Sequence, residues 1–276
     1  RPETAPDQNS LHRPLRPSTL AQRPMSACAA CVDPGTVWAG TPTGSDLLAI
    51  PGLTPPMPAY VATPPDGTPL IGAVLLITDI FGIGRKNPRL WCDRLAARGF
   101  AVLAPDFFRG GAFPADTPLT PAAFMPWLAR FPREGVMADA VAATEHAKQA
   151  WPGVPVSAVG FCWGGLYAAL LAGGDEPAVA AAALLHPSLL TKVDVDAIAR
   201  PVFVGTNGED QQVSDAFRAE IAAALSSKRF HTATQHWEAM RHGWTLRGDD
   251  TDPAIKTAAE DAFERAAGWL AVHGAK

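Results

Sequence analysis

Between residues 70 and 272 short continuous apolar runs alternate with stretches whose apolar positions recur every three or four residues. The runs "LIGAVLLIT" (70–78), "FAVLAPDFF" (100–108), "VPVSAVGF" (154–161), "AVAAAALLH" (178–186) and "PVFVGT" (201–206) have the unbroken apolar character of strands covered on both faces. A further strand pattern spans 230–238. Helical periodicity fills the gaps at 121–130, 133–150, 164–173, 214–227 and 255–272. One more helix is predicted in "NPRLWCDRLAARG", with Asn87 as N-cap, Pro88 at the first helical position and Gly99 past the end. Strands spaced by helices imply βαβ units, right-handed crossovers and one mostly parallel sheet with helices on both faces. The expectation is a single α/β domain over 34–276. It follows a flexible tail, 1–33, whose first 24 residues are rich in Pro and Arg and show no period.

Composition narrows the function classes. The chain has 276 residues, 47% hydrophobic and 18% charged, enough apolar material for a sizeable core. A net charge of −4 points away from nucleic acid and anionic membranes. The apolar runs fall short of the roughly 18 residues a spanning helix needs. A soluble protein is therefore expected; a cytoplasmic location, a small-molecule partner and a monomeric or weakly homodimeric state are separate expectations that do not follow from composition. The arginines of the tail loosely suggest organellar targeting, but Pro2, Pro6, Pro14 and Pro17 suit an amphipathic helix poorly. Four cysteines do not make a disulfide framework. Cys28 and Cys31 form a lone CxxC without a second ligand pair, and read as an exposed or paired structural thiol. Cys92 falls in the helical pattern as a small buried hydrophobe. No histidine spacing suggests a metal, and no cofactor is expected.

The chemistry concentrates in "AVGFCWGGLYAAL" (158–170). Gly160-Phe161-Cys162-Trp163-Gly164 has G-x-nucleophile-x-G spacing between an apolar strand and a small-residue helix. Such a tight reversal leaves no room for side chains beside the nucleophile, and it strains the nucleophile's backbone. The helix that follows turns its N–H groups and positive dipole end toward the sulfur, favouring thiolate. A nucleophile needs a base, and the base an orienting acid. After "PVFVGT" come Glu209 and Asp210, and after the next strand comes His242 in a Gly-flanked loop. The order Cys162, acid, His242 at strand ends is that of the α/β-hydrolases. Asp210 is the preferred acid, although spacing does not separate it from Glu209. His186 ends an apolar strand at the same edge, where lining the pocket and bonding to a neighbouring loop are equally open. His231 and His236 read as structural.

"LLITDIFGIG", "APDFFRGG", "GFCWGG", "GEDQQV" and "RHGWTLRGD", taken in order, resemble the dienelactone hydrolase family. The opening "GTVWAGTPTG" is similar to the start of its eukaryotic branch. The resemblance spans roughly 34–272. It implies the α/β-hydrolase fold and a Cys-His-Asp triad on Cys162, His242 and Asp210. It also implies an oxyanion hole from the backbone N–H groups of Ile80 and Trp163. Bacterial members place a glutamate where this chain has Asp79, and that acid helps deprotonate the thiol when substrate arrives. Their substrate-carboxylate arginines have Arg109 and Arg247 as nearest counterparts. Phe108 stands where bacterial members often carry a tyrosine.

The expected function is hydrolysis of an ester or enol-lactone, of the carboxymethylenebutenolide kind, through a thioester acyl-enzyme. Two alternatives remain. One is thioester hydrolysis or acyl transfer on the same site. The other is a catalytically silent protein that binds or senses through the thiol.

Overall fold

The computed structural model describes residues 35–276. The tail and the Cys28–Cys31 motif lie outside the described residues. Eight strands form one sheet: β1 (Ser45–Leu47), β2 (Ala59–Ala62), β3 (Gly72–Ile77), β4 (Phe100–Pro105), β5 (Val156–Phe161), β6 (Ala182–Leu185), β7 (Val202–Glu209) and β8 (Thr232–Arg241). Their spatial order is β1-β2-β4-β3-β5-β6-β7-β8. The six strands from β3 to β8 run parallel, and β1 and β2 close one edge antiparallel. The helices are α1 (Lys86–Ala97), α2 (Pro121–Leu128), α3 (Arg133–Ala150), α4 (Trp163–Leu171), α5 (Lys192–Asp196), α6 (Asp215–Ser226), α7 (Trp244–Arg247) and α8 (Pro253–His273).

Alternation along each strand sends side chains into two cores. Ala73, Leu75 and Ile77 of β3 point to one face, where α3 and α4 contribute Ala140, Ala143, Leu166 and Ala169. Val74 and Leu76 point to the other, against Trp91 and Leu95 of α1 and Phe263 and Leu270 of α8. Burial on both faces is why these strands read as unbroken apolar runs.

The elements placed from periodicity match well in the centre of the sheet and less well at its ends. β1 and β2 were not anticipated, because they are short and owe their form to pairing across the sheet. β7 and β8 run three residues beyond the expected limits, carrying the chain toward Asp210 and His242. Asn87 is not an N-cap: α1 starts at Lys86 after Arg85. The Asn87 side chain instead donates to the carbonyls of Thr36 and Leu246 and accepts from Trp38 N–H. It thereby ties the first described residues to the helix that follows His242.

Candidate active site

Asp79, Cys162, His186, Ser188, Asp210 and His242 all follow the C-terminal ends of parallel strands, where loops from neighbouring strands converge. Cys162 sits between β5 and α4 with φ 52 and ψ −117, a left-handed conformation that costs a non-glycine residue about 1–3 kcal/mol. Glycines make the turn possible. A Cβ on Gly164 would stand 2.2 Å from the Ile77 carbonyl oxygen, and one on Gly160 would stand 2.3 Å from that of Gly164. The Cys162 N–H donates to the Leu185 carbonyl at 3.1 Å, continuing the β5–β6 ladder into the turn. Trp163 is the first helical residue, so its N–H has no acceptor within α4.

His242 Nδ1 lies 2.8 Å from Asp210 Oδ2, and both side chains are sealed from solvent. Geometry separates the two adjacent acids: exposed Glu209 pairs with exposed Arg241 instead. Gln212 N–H donates to the Asp210 carboxylate at 2.8 Å and fixes its orientation. Burial alone would lower the imidazole pKa, but the charges of Asp210 and Cys162 raise it to about 10. Burial pushes the Cys162 thiol up; the charge and hydrogen bond of His242, helped by Arg247, outweigh that and Asp79's opposing charge. The net direction for Cys162 is down. A buried thiolate facing an imidazolium is the state this environment favours.

Asp79 and Arg247 meet near Cys162, and both charges act on its thiol. Arg247 Nε is 3.0 Å from Asp79 Oδ2 in a Coulombic contact rather than a well-directed hydrogen bond. Asp79 Oδ1 accepts from Phe81 N–H at 3.0 Å, which shapes the turn containing Ile80. The Arg247 guanidinium also lies over the Phe81 ring, 5.1 Å from its centroid. Arg109 is held in a two-pronged pair with Asp139 at 2.8 and 3.0 Å. Phe108 packs against Trp163, Trp127 and Phe131.

His186 is fully buried, with Nε2 2.6 Å from Thr245 Oγ1 and its ring against His242. Burial, together with the charges of His242 and Arg247, drives its pKa well down, so it stays neutral. Its hydrogen-bond partner is thus a residue of the short helix α7, and its ring also packs beside His242. Sequence reasoning missed Ser188. Its hydroxyl lies 3.3 Å from Cys162 Sγ and 3.4 Å from His242 Nε2. The available signal was its place two residues after a strand-end histidine in "LLHPSLL".

Among the described residues no three His, Cys, Asp or Glu side chains gather as a metal site would require, and no helix is long and apolar enough to cross a membrane.

A mostly parallel sheet covered on both faces, with a cysteine elbow and an acid–histidine pair at successive strand ends, has the α/β-hydrolase architecture. The chain belongs to the dienelactone hydrolase family, whose model matches residues 57–274. It is 26% identical to "Hydrolase pyvD" of Aspergillus violaceofuscus over 215 residues, 78% of this chain and 86% of the relative. It is 25% identical to a "Carboxymethylenebutenolidase homolog" of Rattus norvegicus, covering 72% and 81% of the two chains. Among solved structures, a Klebsiella pneumoniae protein put forward as a dienelactone hydrolase matches with a TM-score of 0.70 at 21% identity. That match covers 83% of this chain and 99% of the neighbour.

Proposed function

We propose that this protein hydrolyses an ester or enol-lactone through a thioester acyl-enzyme on Cys162. The carrying observation is the buried His242–Asp210 pair beside a strained Cys162 whose thiol is held below its ordinary range. The Cys162 thiolate attacks the substrate carbonyl carbon, and the negative charge moves to the carbonyl oxygen. Backbone N–H groups of Trp163 and Ile80 receive that oxyanion; one such donor is worth roughly 3–4 kcal/mol of transition-state stabilisation. As the carbon–oxygen bond breaks, protonated His242 Nε2 hands its proton to the leaving oxygen. Neutral His242 then takes a proton from water, which attacks the thioester. The carbon–sulfur bond breaks, releasing the acid and restoring thiolate and imidazolium. Asp210 keeps the proton of Nδ1 facing itself, which leaves Nε2 for the substrate.

Asp79 and Arg247 supply a second route to the thiolate. A substrate carboxylate on Arg247 would release Asp79 from its ion pair and free it to accept the thiol proton. Arg109, held by Asp139, would need the same kind of exchange to reach a substrate. The small-molecule names of the relatives, carboxymethylenebutenolidase homologues among them, support an ester or lactone substrate.

A panel of p-nitrophenyl esters and enol-lactones tests the proposal with wild type and Cys162→Ala. Turnover is expected in the wild type and its loss in the variant, with the fold intact by circular dichroism. Retained turnover in Cys162→Ala would overturn it.

A further inference from the structure

Ser188 closes a triangle with Cys162 and His242, and the backbone around it is built for that purpose. Its own N–H donates to the Cys162 carbonyl at 2.8 Å, tying the loop after β6 directly to the elbow. His186 and Leu189, on either side of Pro187-Ser188, both have positive φ (40 and 61), a conformation non-glycine residues rarely adopt. Pro187 lies close enough to α4 that a Cβ on Gly165 would stand 2.7 Å from Pro187 Cβ. A loop strained at two residues and pinned at both faces delivers one buried hydroxyl between nucleophile and base.

A hydroxyl has one proton to donate and lone pairs to accept. We propose that Ser188 is a positioning residue: its O–H donates to the Cys162 thiolate while its oxygen accepts from protonated His242 Nε2, holding the ion pair in register. This rests on the nucleophile reading given above. No bond is made or broken at Ser188, so no co-reactant is needed. The charged and titratable groups around the sulfur are His242 and Arg247 from the β8–α7 side and Asp79 from the end of β3. Asp210 lies behind His242, and neutral His186 packs on its ring. Ser188 adds a neutral hydroxyl to this set of charges.

The test is the pH dependence of Cys162 alkylation by iodoacetamide in wild type, Ser188→Ala, Ser188→Gly and Ser188→Thr, alongside ester kinetics. A hydrogen bond to a charged group accounts for a midpoint shift of about one unit. Ser188→Ala and Ser188→Gly are expected to move the thiolate midpoint upward by about that much and to lower kcat about tenfold at unchanged KM. Ser188→Thr, which keeps the hydroxyl, is expected to restore the wild-type midpoint. An unmoved midpoint in either hydroxyl-free variant that folds would overturn the proposal, as would an equal shift in Ser188→Thr. Alkylation needs no turnover. Failure of the nucleophile reading shows instead as ester hydrolysis surviving Cys162→Ala.

Discussion

Arg247 Nε stands 3.0 Å from Asp79 Oδ2, with both side chains almost sealed from solvent. The two residues that the family resemblance assigned to different tasks, thiol activation and substrate-carboxylate binding, thus compensate each other's charge in the resting protein.

Removing the cation strands the carboxylate. Arg247→Met is expected to destabilise the fold by about 3–5 kcal/mol in urea titration, because a buried charge is left uncompensated. Asp79→Asn combined with Arg247→Met is expected to recover much of that loss. Because Arg247 lowers and Asp79 raises the Cys162 thiol, the single Arg247→Met variant is also expected to alkylate with a higher pH midpoint.

On the proposed mechanism the coupled Cys162–His242 pair sets a pH window for activity. The thiol titrates below its ordinary value near 9, and the imidazolium persists to about 10. The ester kcat/KM is expected to have its rising limb below pH 9 and its falling limb near pH 10. The stability contribution of protonated His242 is complete below its unfolded value near 6.5 and fades as pH climbs toward 10. That of the Cys162 thiolate has the opposite sense: complete above pH 9 and lost as pH falls through the lowered value. A flat kcat/KM profile between pH 6 and 11 would contradict the ion pair.

Asp210→Asn keeps the shape of the acid and removes its charge. By the logic of a histidine left in the wrong tautomer, kcat is expected to fall by about 10⁴-fold with little change in KM. The falling limb of the pH profile is expected to move down with the imidazolium pKa. Glu209→Gln, in the exposed pair with Arg241, is expected to leave kcat within about twofold.

The elbow has no spare volume. Gly164→Ala would put a methyl 2.2 Å from the Ile77 carbonyl oxygen, and backbone on both sides has to shift. A loss of at least about 1–3 kcal/mol is expected in thermal or urea unfolding. At Gly67, where nothing lies within 4 Å, the positive φ alone opposes alanine, so a smaller loss is expected there.

Much of this was legible in the amino-acid pattern, for identifiable reasons. Strands buried on both faces announce themselves as apolar runs, so β3 to β7 could be placed and the residues after them read as site candidates. The elbow was legible because its glycines answer to a steric demand between adjacent segments of chain. Asp210 could not be told from Glu209, because that choice depends on which side of the end of β7 faces His242. Ser188 and the Asp79–Arg247 pair stayed hidden because they depend on distances across 26 to 168 residues of sequence, which no local period encodes. Asn87 looked like a cap because Asn before Pro has that signature; a tertiary role bridging Thr36, Trp38 and Leu246 prevailed.

The most direct measurement is intact-protein and peptide mass spectrometry of the acid-quenched enzyme during turnover of an activated ester. An added acyl mass on the peptide containing Cys162, released by neutral hydroxylamine and absent from Cys162→Ala, is the predicted result. An adduct that fragmentation of the peptide localises to Ser188 rather than Cys162, or steady turnover of the same ester by Cys162→Ala, would contradict it.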